Sequence, residues 1–231
     1  MTTQRTADGS YTLYSADYAQ TFHSDRGALT ESRHVFLGAS GVGARLSAGK
    51  GCRVLEVGFG TGLNFFLSAD LATANGAELA YCALERTLLS GDSVRGLDFA
   101  RHLKRPELLE AFLSFRDSLP ERVGEGSYQF RCQGVRLELL VGDATRQALP
   151  AAHFDAVYQD AFSPDSNPEL WTKAFLQTLA RALKPGGALS TYSVKGEVRR
   201  RLSALGLEVR KQPGPPGGKR EMLLARRLVK P

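Results

Sequence analysis

The sequence predicts an α/β fold in which a doubly wound, mostly parallel sheet carries a helical insertion and ends in an antiparallel strand. Three observations predict it. From residue 53 onward, short apolar runs alternate with stretches of helical composition, the pattern of a parallel sheet covered on both faces. A glycine-rich turn follows the first of those runs directly. The chain has 231 residues, 42% hydrophobic and 23% charged, enough to bury one sizeable core without a disulfide or metal staple. The same composition excludes a disordered chain, a collagen-like repeat and a disulfide-knotted miniprotein.

Residues 1–16 read as a polar leader. Residues 17–48 carry mixed helical and loop signals, anchored by Val35, Phe36 and Leu37. The run 53–57 (RVLEV) is a strand by its apolar, β-branched content, and 63–74 (LNFFLSADLATA) has helical composition. A second strand, 78–84 (ELAYCAL), ends at Glu85. Residues 86–135 read as a helical and hairpin insertion. Its part 86–124 is mainly helical, with Leu108, Leu109, Phe112 and Leu113 at one-face spacing. Runs 128–132 and 135–141 flank Gln133-Gly134 as a hairpin. Residues 154–159 (FDAVYQ) form the next strand, followed by a loop to Pro168. The amphipathic stretch 169–183 reads as a helix stopped by Lys184-Pro185-Gly186-Gly187. Strand character resumes at 188–192, 199–204 is helical, and 207–210 with 222–225 make a last antiparallel pair around the Pro/Gly loop at 213–218. In such a sheet a ligand lies beyond the C-terminal ends of the strands, near the switch point.

Charge is unevenly placed. Residues 195–231 hold eleven Lys and Arg against three Glu, whereas the first 194 hold 19 basic and 21 acidic residues. A basic terminal segment on a mildly acidic body suits a polyanion, nucleic acid first, or is simply a solvated face. Cys52, Cys82 and Cys132 are scattered without a CxxC pair, which points to reduced thiols and a cytoplasmic location. The four histidines show no ligand spacing, so no metal is expected. No apolar run approaches a membrane span, and the polar start lacks a signal-peptide core.

The sharpest local signal is Glu56-Val57-Gly58-Phe59-Gly60-Thr61-Gly62-Leu63-Asn64. Glycines permit a tight bend and let a ligand approach backbone unhindered by Cβ atoms. A dinucleotide fingerprint wants glycine at position 63, where this chain has Leu. The acid followed by GxGxG resembles the first motif of Rossmann-like, class I S-adenosylmethionine-dependent methyltransferases. Electrostatics agree: a pyrophosphate wants a helix N-terminus and positive charge, whereas a sulfonium and an ammonium favour carboxylates such as Glu56. Glu85 ends the second strand, where an acid can accept both ribose hydroxyls. Gly142-Asp143-Ala144 follows the third, where Asp143 or its neighbours can bond an adenine amino group. Each acid has a plainer reading as a helix cap or turn residue. Gly58, Gly60, Gly62, Asn64, Glu85, Asp143 and Asp160 join Glu56 as expected cofactor-binding residues.

The loop Gln159-Asp160-Ala161-Phe162-Ser163-Pro164-Asp165-Ser166-Asn167-Pro168-Glu169-Leu170-Trp171 follows the fourth strand. Asp160 stands at the strand end, Phe162 stacks on a base or walls off the cofactor, and Trp171 packs in the core or contacts substrate. The runs DAFSPDSNPELW, TYSVKGEVRRRL and GGKREMLL, with YAQTFHSDRGALTESRHVFL near the start, resemble the methyltransferase domain of the MnmC-type tRNA-modifying enzymes. The resemblance covers residues 14–226. It departs at Ser166, where a lysine commonly precedes Asn-Pro, and at His23, where an aromatic is usual.

The resemblance implies a single methyltransferase domain over residues 17–231, with 17–48 on the substrate side. It also implies methyl transfer from S-adenosylmethionine to the amine of 5-aminomethyl-2-thiouridine at the tRNA wobble position. Because the chain ends at Pro231 without a second dinucleotide motif, a stand-alone form is expected, without FAD and dependent on other enzymes for the aminomethyl uridine. The amine must react as the neutral base, which burial favours, and must be aligned with the methyl carbon. Asp160 either orients the amine and takes its proton or binds the donor's ammonium, and Tyr192 supplies a second polar group or merely packs at the strand end. Lys195, Arg199, Lys219 and Arg220 are the expected tRNA-docking residues, with Arg200 and Arg201 beside them. Rival readings are a small-molecule amine methyltransferase or aminopropyltransferase, which favours a denser acidic pocket, and a non-catalytic RNA-binding module, against which the acids speak.

Overall fold

Five apolar strands form the parallel centre of an eight-stranded sheet in the computed structural model, which describes residues 1–229. They are β4 (Cys52–Val57), β5 (Leu79–Glu85), β7 (Val135–Val141), β8 (Phe154–Gln159) and β9 (Leu183–Thr191), in the order β9-β8-β4-β5-β7. β4, β5 and β8 are buried on both faces or nearly so, as parallel strands under helices must be, whereas β7 alternates buried with partly exposed residues. The chain runs outward from β4 in both directions, so the switch point falls between β4 and β8, at the mouth of the glycine bend. Antiparallel edges complete the sheet. On one side β6 (Gly126–Cys132) folds back on β7 through Gln133-Gly134; on the other β11 (Glu221–Arg227) lies between β9 and β10 (Leu207–Pro213).

Alternation along β4 divides the core. Val54 faces an aromatic cluster under α3 (Leu63–Ala74), which joins Phe65 and Phe66 to Tyr81, Phe112 and Phe130. Leu55 and Val57 face the opposite cluster under α6 (Lys173–Ala182) and α7 (Gly196–Ala204), built on Trp171, Leu176, Leu179, Val198 and Leu202. The stretch 86–124 is less helical than its composition predicts. It holds α4 (Gly91–Arg95), a 3₁₀ turn (Phe99–His102) and α5 (Pro106–Ser118), whose Leu108, Leu109, Phe112 and Leu113 are buried as their spacing predicts. Arg116, also buried, donates to the carbonyls of Leu89, Pro120 and Glu121 and so ties the flanking loops together. The helix expected over 169–183 begins only at Lys173, where the Thr172 hydroxyl accepts from the Phe175 amide. Its expected stop signal, residues 184–187, belongs to β9: the β8–β9 register shifts between Phe154/Leu183 and Ala156/Ala188, absorbing the Pro-Gly-Gly as an irregularity.

Residues 1–16, which read as a polar leader, have regular structure. They fold with the next few residues into a three-stranded meander of β1 (Thr2–Arg5), β2 (Tyr11–Ser15) and β3 (Gln20–Thr21). Their polarity misleads because the polar groups satisfy one another. The Asp8 carboxylate accepts from the Thr6 and Ser10 hydroxyls and from the Thr30 amide and hydroxyl, and these bonds hold its pKa well below the usual carboxylate range against the cost of burial. Thr30 belongs to α1 (Ala28–Glu31), which a π-helical segment (Ser32–Gly38) and α2 (Val42–Ser47) continue. Val35 and Phe36 are buried there, and Leu37 is half-buried. No helix among the described residues is long and apolar enough to cross a membrane.

Candidate active site

A cavity of about 1050 Å³ opens at the C-terminal ends of β4, β5, β7 and β8, and residues of the N-terminal meander wall its other side. Gly58, Gly60 and Gly62 all have positive φ, at 86°, 52° and 80°. A Cβ at Gly58 would lie 2.9 Å from the Asp160 carbonyl oxygen, so the bend closes directly on the end of β8. Glu85 is part of the bend as well as of the cavity wall: its Oε2 accepts the Gly60 amide at 2.7 Å and its Oε1 the Thr87 amide at 3.1 Å. Burial raises its pKa, with these amides pulling the other way. Asp143 also lines the cavity while accepting from the Thr145 amide and hydroxyl, so it caps the short turn Ala144–Arg146. Those bonds lower its pKa.

Glu56 departs from expectation. It does not line the cavity. The two-residue period of β4 points it, like Val54, toward α3, where it is fully buried. Its Oε1 accepts from Asn64 Nδ2 at 2.7 Å and its Oε2 from the Tyr81 hydroxyl at 2.9 Å. The same Asn64 Nδ2 donates to Asp160 Oδ2 at 2.8 Å, so Glu56 reaches the cavity only through Asn64. Burial pushes its carboxyl up to about 8 despite these two donors, leaving it neutral below that pH. Between the ordinary carboxylate value of 4.5 and about 8 the folded chain therefore binds a proton that the unfolded chain has released, and stability falls as pH rises. Glu56→Gln keeps an acceptor for Asn64 and a donor or acceptor for Tyr81. Urea unfolding at pH 5 and pH 8 is expected to show this fall reduced in the variant by a few kcal/mol, at most about 4. Glu31, Glu85 and Asp160, whose pKa values are also raised, preserve a residual slope of the same sign. An unchanged slope would refute the assignment.

Asp160 stands in the cavity at the end of β8, its amide donating to the Val57 carbonyl at 3.0 Å. Burial first, then the neighbouring Glu56 and Glu31, raise its pKa well above the ordinary value. Tyr192, just past β9, lines the same cavity, but its hydroxyl donates to the Ala161 carbonyl at 2.8 Å. Tyr192 thus offers the cavity a ring face, and its hydroxyl steadies the loop that carries Asp160. Phe162 stacks on Tyr18 at a centroid distance of 4.2 Å and meets Phe22 edge-on at 5.2 Å. Trp171 is fully buried and its Nε1 donates to the Phe162 carbonyl at 2.9 Å, the packing role among its two readings.

The expected RNA-docking residues separate. Arg199 and Arg220 are exposed. Lys195 is engaged with Asp165 at 2.5 Å, bracing the loop after β8. Lys219 is exposed yet also lines the cavity, its Nζ 4.2 Å from the centre of the Tyr192 ring. The segment 17–48, expected on the substrate side, lines the cavity, but sequence reasoning singled out no binding side chain within it. Gln20 donates to the Ser163 and Ser166 hydroxyls at 2.8 and 2.9 Å, and the buried His23 bonds Thr12 at 3.0 Å while approaching the Thr61 hydroxyl of the bend. Burial lowers the His23 pKa to about 4, which keeps it neutral. Glu31, 6% exposed, faces the cavity from α1 and accepts the Ser24 amide at 3.0 Å. Its signal was its place in the stretch YAQTFHSDRGALTESRHVFL, which identified no single side chain. Among the described residues no group of three or more His, Cys, Asp or Glu converges as a metal site would.

The sequence model of a family described as S-adenosyl-L-methionine-dependent methyltransferase matches residues 106–227. The tRNA 5-methylaminomethyl-2-thiouridine biosynthesis bifunctional protein MnmC of Aromatoleum aromaticum is 36% identical over 228 residues, covering 96% of this chain and 34% of that protein. The protein of the same name from Pseudomonas fluorescens is 36% identical over 208 residues, covering 85% of this chain and 30% of its own length. The chain thus spans about a third of the length of the curated relatives it matches. The crystal structure of MNMC2 from Aquifex aeolicus is similar over 99% of this chain and 71% of that one, with a TM-score of 0.79 at 28% identity.

Proposed function

The chain belongs to the S-adenosyl-L-methionine-dependent methyltransferase family, and from that premise we propose that it methylates the amine of 5-aminomethyl-(2-thio)uridine at the wobble position of tRNA. The observation that carries this reading is the place of Asp160. It is a carboxylate at the switch point, held by Asn64, in one cavity with the glycine bend and within the field of a second acid, Glu31.

The residues present fit the donor. Positive φ at Gly58, Gly60 and Gly62 lets the bend turn tightly at the cavity wall, and the buried Asn64 Oδ1 has no partner. Glu85 would hold the ribose hydroxyls, and Asp143 with its neighbouring backbone the adenine. Bound S-adenosyl-L-methionine supplies a methyl group on a positively charged sulfur. The remaining work belongs to the chain. Asp160 attracts the acceptor's ammonium, orients it, and accepts its proton as the nitrogen lone pair is freed; Asn64 fixes the carboxylate for this. Phe162, stacked on Tyr18 and edge-on to Phe22, presents an aromatic wall suited to a base taken out of its stack. Arg199 and Arg220 would meet phosphates, as exposed arginines can. An earlier reaction must unmask the primary amine on the base, so the chain depends on other enzymes for its substrate.

The test supplies the purified chain with methyl-labelled S-adenosyl-L-methionine and tRNA bearing an aminomethyl wobble uridine, then digests the tRNA for nucleoside mass spectrometry. The expected product is the methylaminomethyl nucleoside. Label appearing on spermidine and not on tRNA would replace the reading with a small-molecule transferase.

A further inference from the structure

The cavity holds a charged group of the chain's own. The Lys219 ammonium lies 4.2 Å from the centre of the Tyr192 ring, and Glu31 and Asp160 both attract it. It forms no direct ion pair with either acid among the described residues. Lys219 enters on the loop between β10 and β11, whose start is fixed where His34 Nε2 donates to the Pro213 carbonyl at 2.9 Å. Within the loop the Gly214 amide donates to the Arg220 carbonyl at 2.9 Å and the Gly218 amide to the Pro215 carbonyl at 3.0 Å, and Lys219 as a whole remains exposed. On the other side stand Glu31, with one oxygen bonded to the Ser24 amide, and Asn64, whose Oδ1 is buried without a partner.

We propose that Glu31, Asp160 and the Tyr192 ring form the subsite for the acceptor's alkylammonium group, and that Lys219 is a resident ammonium which the acceptor displaces. The inference rests on the reading of this cavity as an amine methyltransferase site and extends it to how the acceptor is selected. Two carboxylates facing one cavity repel each other, and burial strips part of their hydration, a cost that a cation between them offsets. The ring face adds attraction for an ammonium regardless of which molecule carries it. Lys219 meets both needs in the free chain, and an aminomethyl group is the same chemical unit, a primary ammonium on a methylene. Because the lysine has no direct ion pair with either acid, its departure breaks no such bond, and an incoming ammonium replaces the attraction it gives up. Glu31 is then a specificity residue: with Asp160 it makes the subsite prefer an amine over a neutral hydroxyl or ring nitrogen.

The experiment titrates the full chain, without donor, with benzylammonium and separately with the nucleoside 5-aminomethyluridine, by calorimetry. Removing the resident cation in Lys219→Met is expected to tighten both probes about tenfold relative to the parent. Lys219→Arg keeps a cation and is expected to match the parent. Adding Glu31→Gln, which retains the acceptor for the Ser24 amide, is expected to abolish the gain. Parent-like, weaker or undetectable binding of both probes by Lys219→Met overturns the proposal. Should benzylammonium tighten while tRNA goes unmethylated, the subsite stands and the wobble-uridine reading falls. Should tRNA be methylated while neither probe's affinity moves, this inference falls alone.

Discussion

Asp160→Asn is expected to lower kcat/KM for methyl transfer by about 10²- to 10⁴-fold, the range for removing a positioned proton acceptor. The fold is expected to survive, because the amide oxygen of asparagine can take the bond that Asp160 Oδ2 accepts from Asn64, and the Val57 contact uses the backbone amide. What disappears is the negative charge and the capacity to take a proton. Kinetics at saturating donor separate the two roles sequence reasoning left open. If Asp160 serves the acceptor amine, kcat stays low however much donor is present. If it only held the donor's ammonium, raising the donor concentration would restore kcat. The pH profile gives a second readout. Asp160 must be ionised to accept a proton and its pKa is raised, so parent activity climbs with pH through that value, and the variant loses this limb. A variant with parental kcat and an unchanged profile would remove Asp160 from the chemistry.

The parts of this site that the sequence made legible are those determined by neighbours along the chain. A glycine bend after an apolar strand, and acids at successive strand ends, come together because parallel strands bring their C-terminal ends to one edge. Glu85 and Asp160 reach the cavity for that reason. Glu56, one residue from the bend, does not itself line the cavity, since adjacency says nothing about which face of β4 a side chain takes. Leu55 and Val57 are apolar and Val54 equally so, which leaves the strand's two faces indistinguishable by pattern. Lys219 was assigned to the RNA surface because its loop reads as mobile and basic; only the antiparallel return of β11 beside β9 carries it back over Tyr192. The first sixteen residues looked like a leader because hydroxyls and one carboxylate replace apolar contacts there, and their partners, such as Thr30, lie in another element.

Gly58→Ala is expected to weaken S-adenosyl-L-methionine binding by at least about 100-fold, or roughly 2.7 kcal/mol, when measured by calorimetry. Two effects combine. At φ 86° an L-residue costs roughly 1–2 kcal/mol, because its Cβ crowds the following carbonyl. The new methyl would also lie 2.9 Å from the Asp160 carbonyl oxygen, 3.2 Å from its carbon and 3.3 Å from the Ala161 Cα. These are backbone atoms at the end of β8, tied to β4 by the Asp160 amide, so they cannot step aside without parting the two strands at the switch point. Gly60→Ala is the control. Its φ is also positive, at 52°, but its Cβ meets the Phe22 ring edge at 2.9 Å, a side chain that can shift. Gly60→Ala is expected to stay within about tenfold of the parent. Displacing β8 also moves Asp160 from Asn64, so transfer by Gly58→Ala at saturating donor should remain depressed, a loss donor affinity alone does not explain. Parent-like donor binding by Gly58→Ala would mean that the bend is not where the cofactor lies.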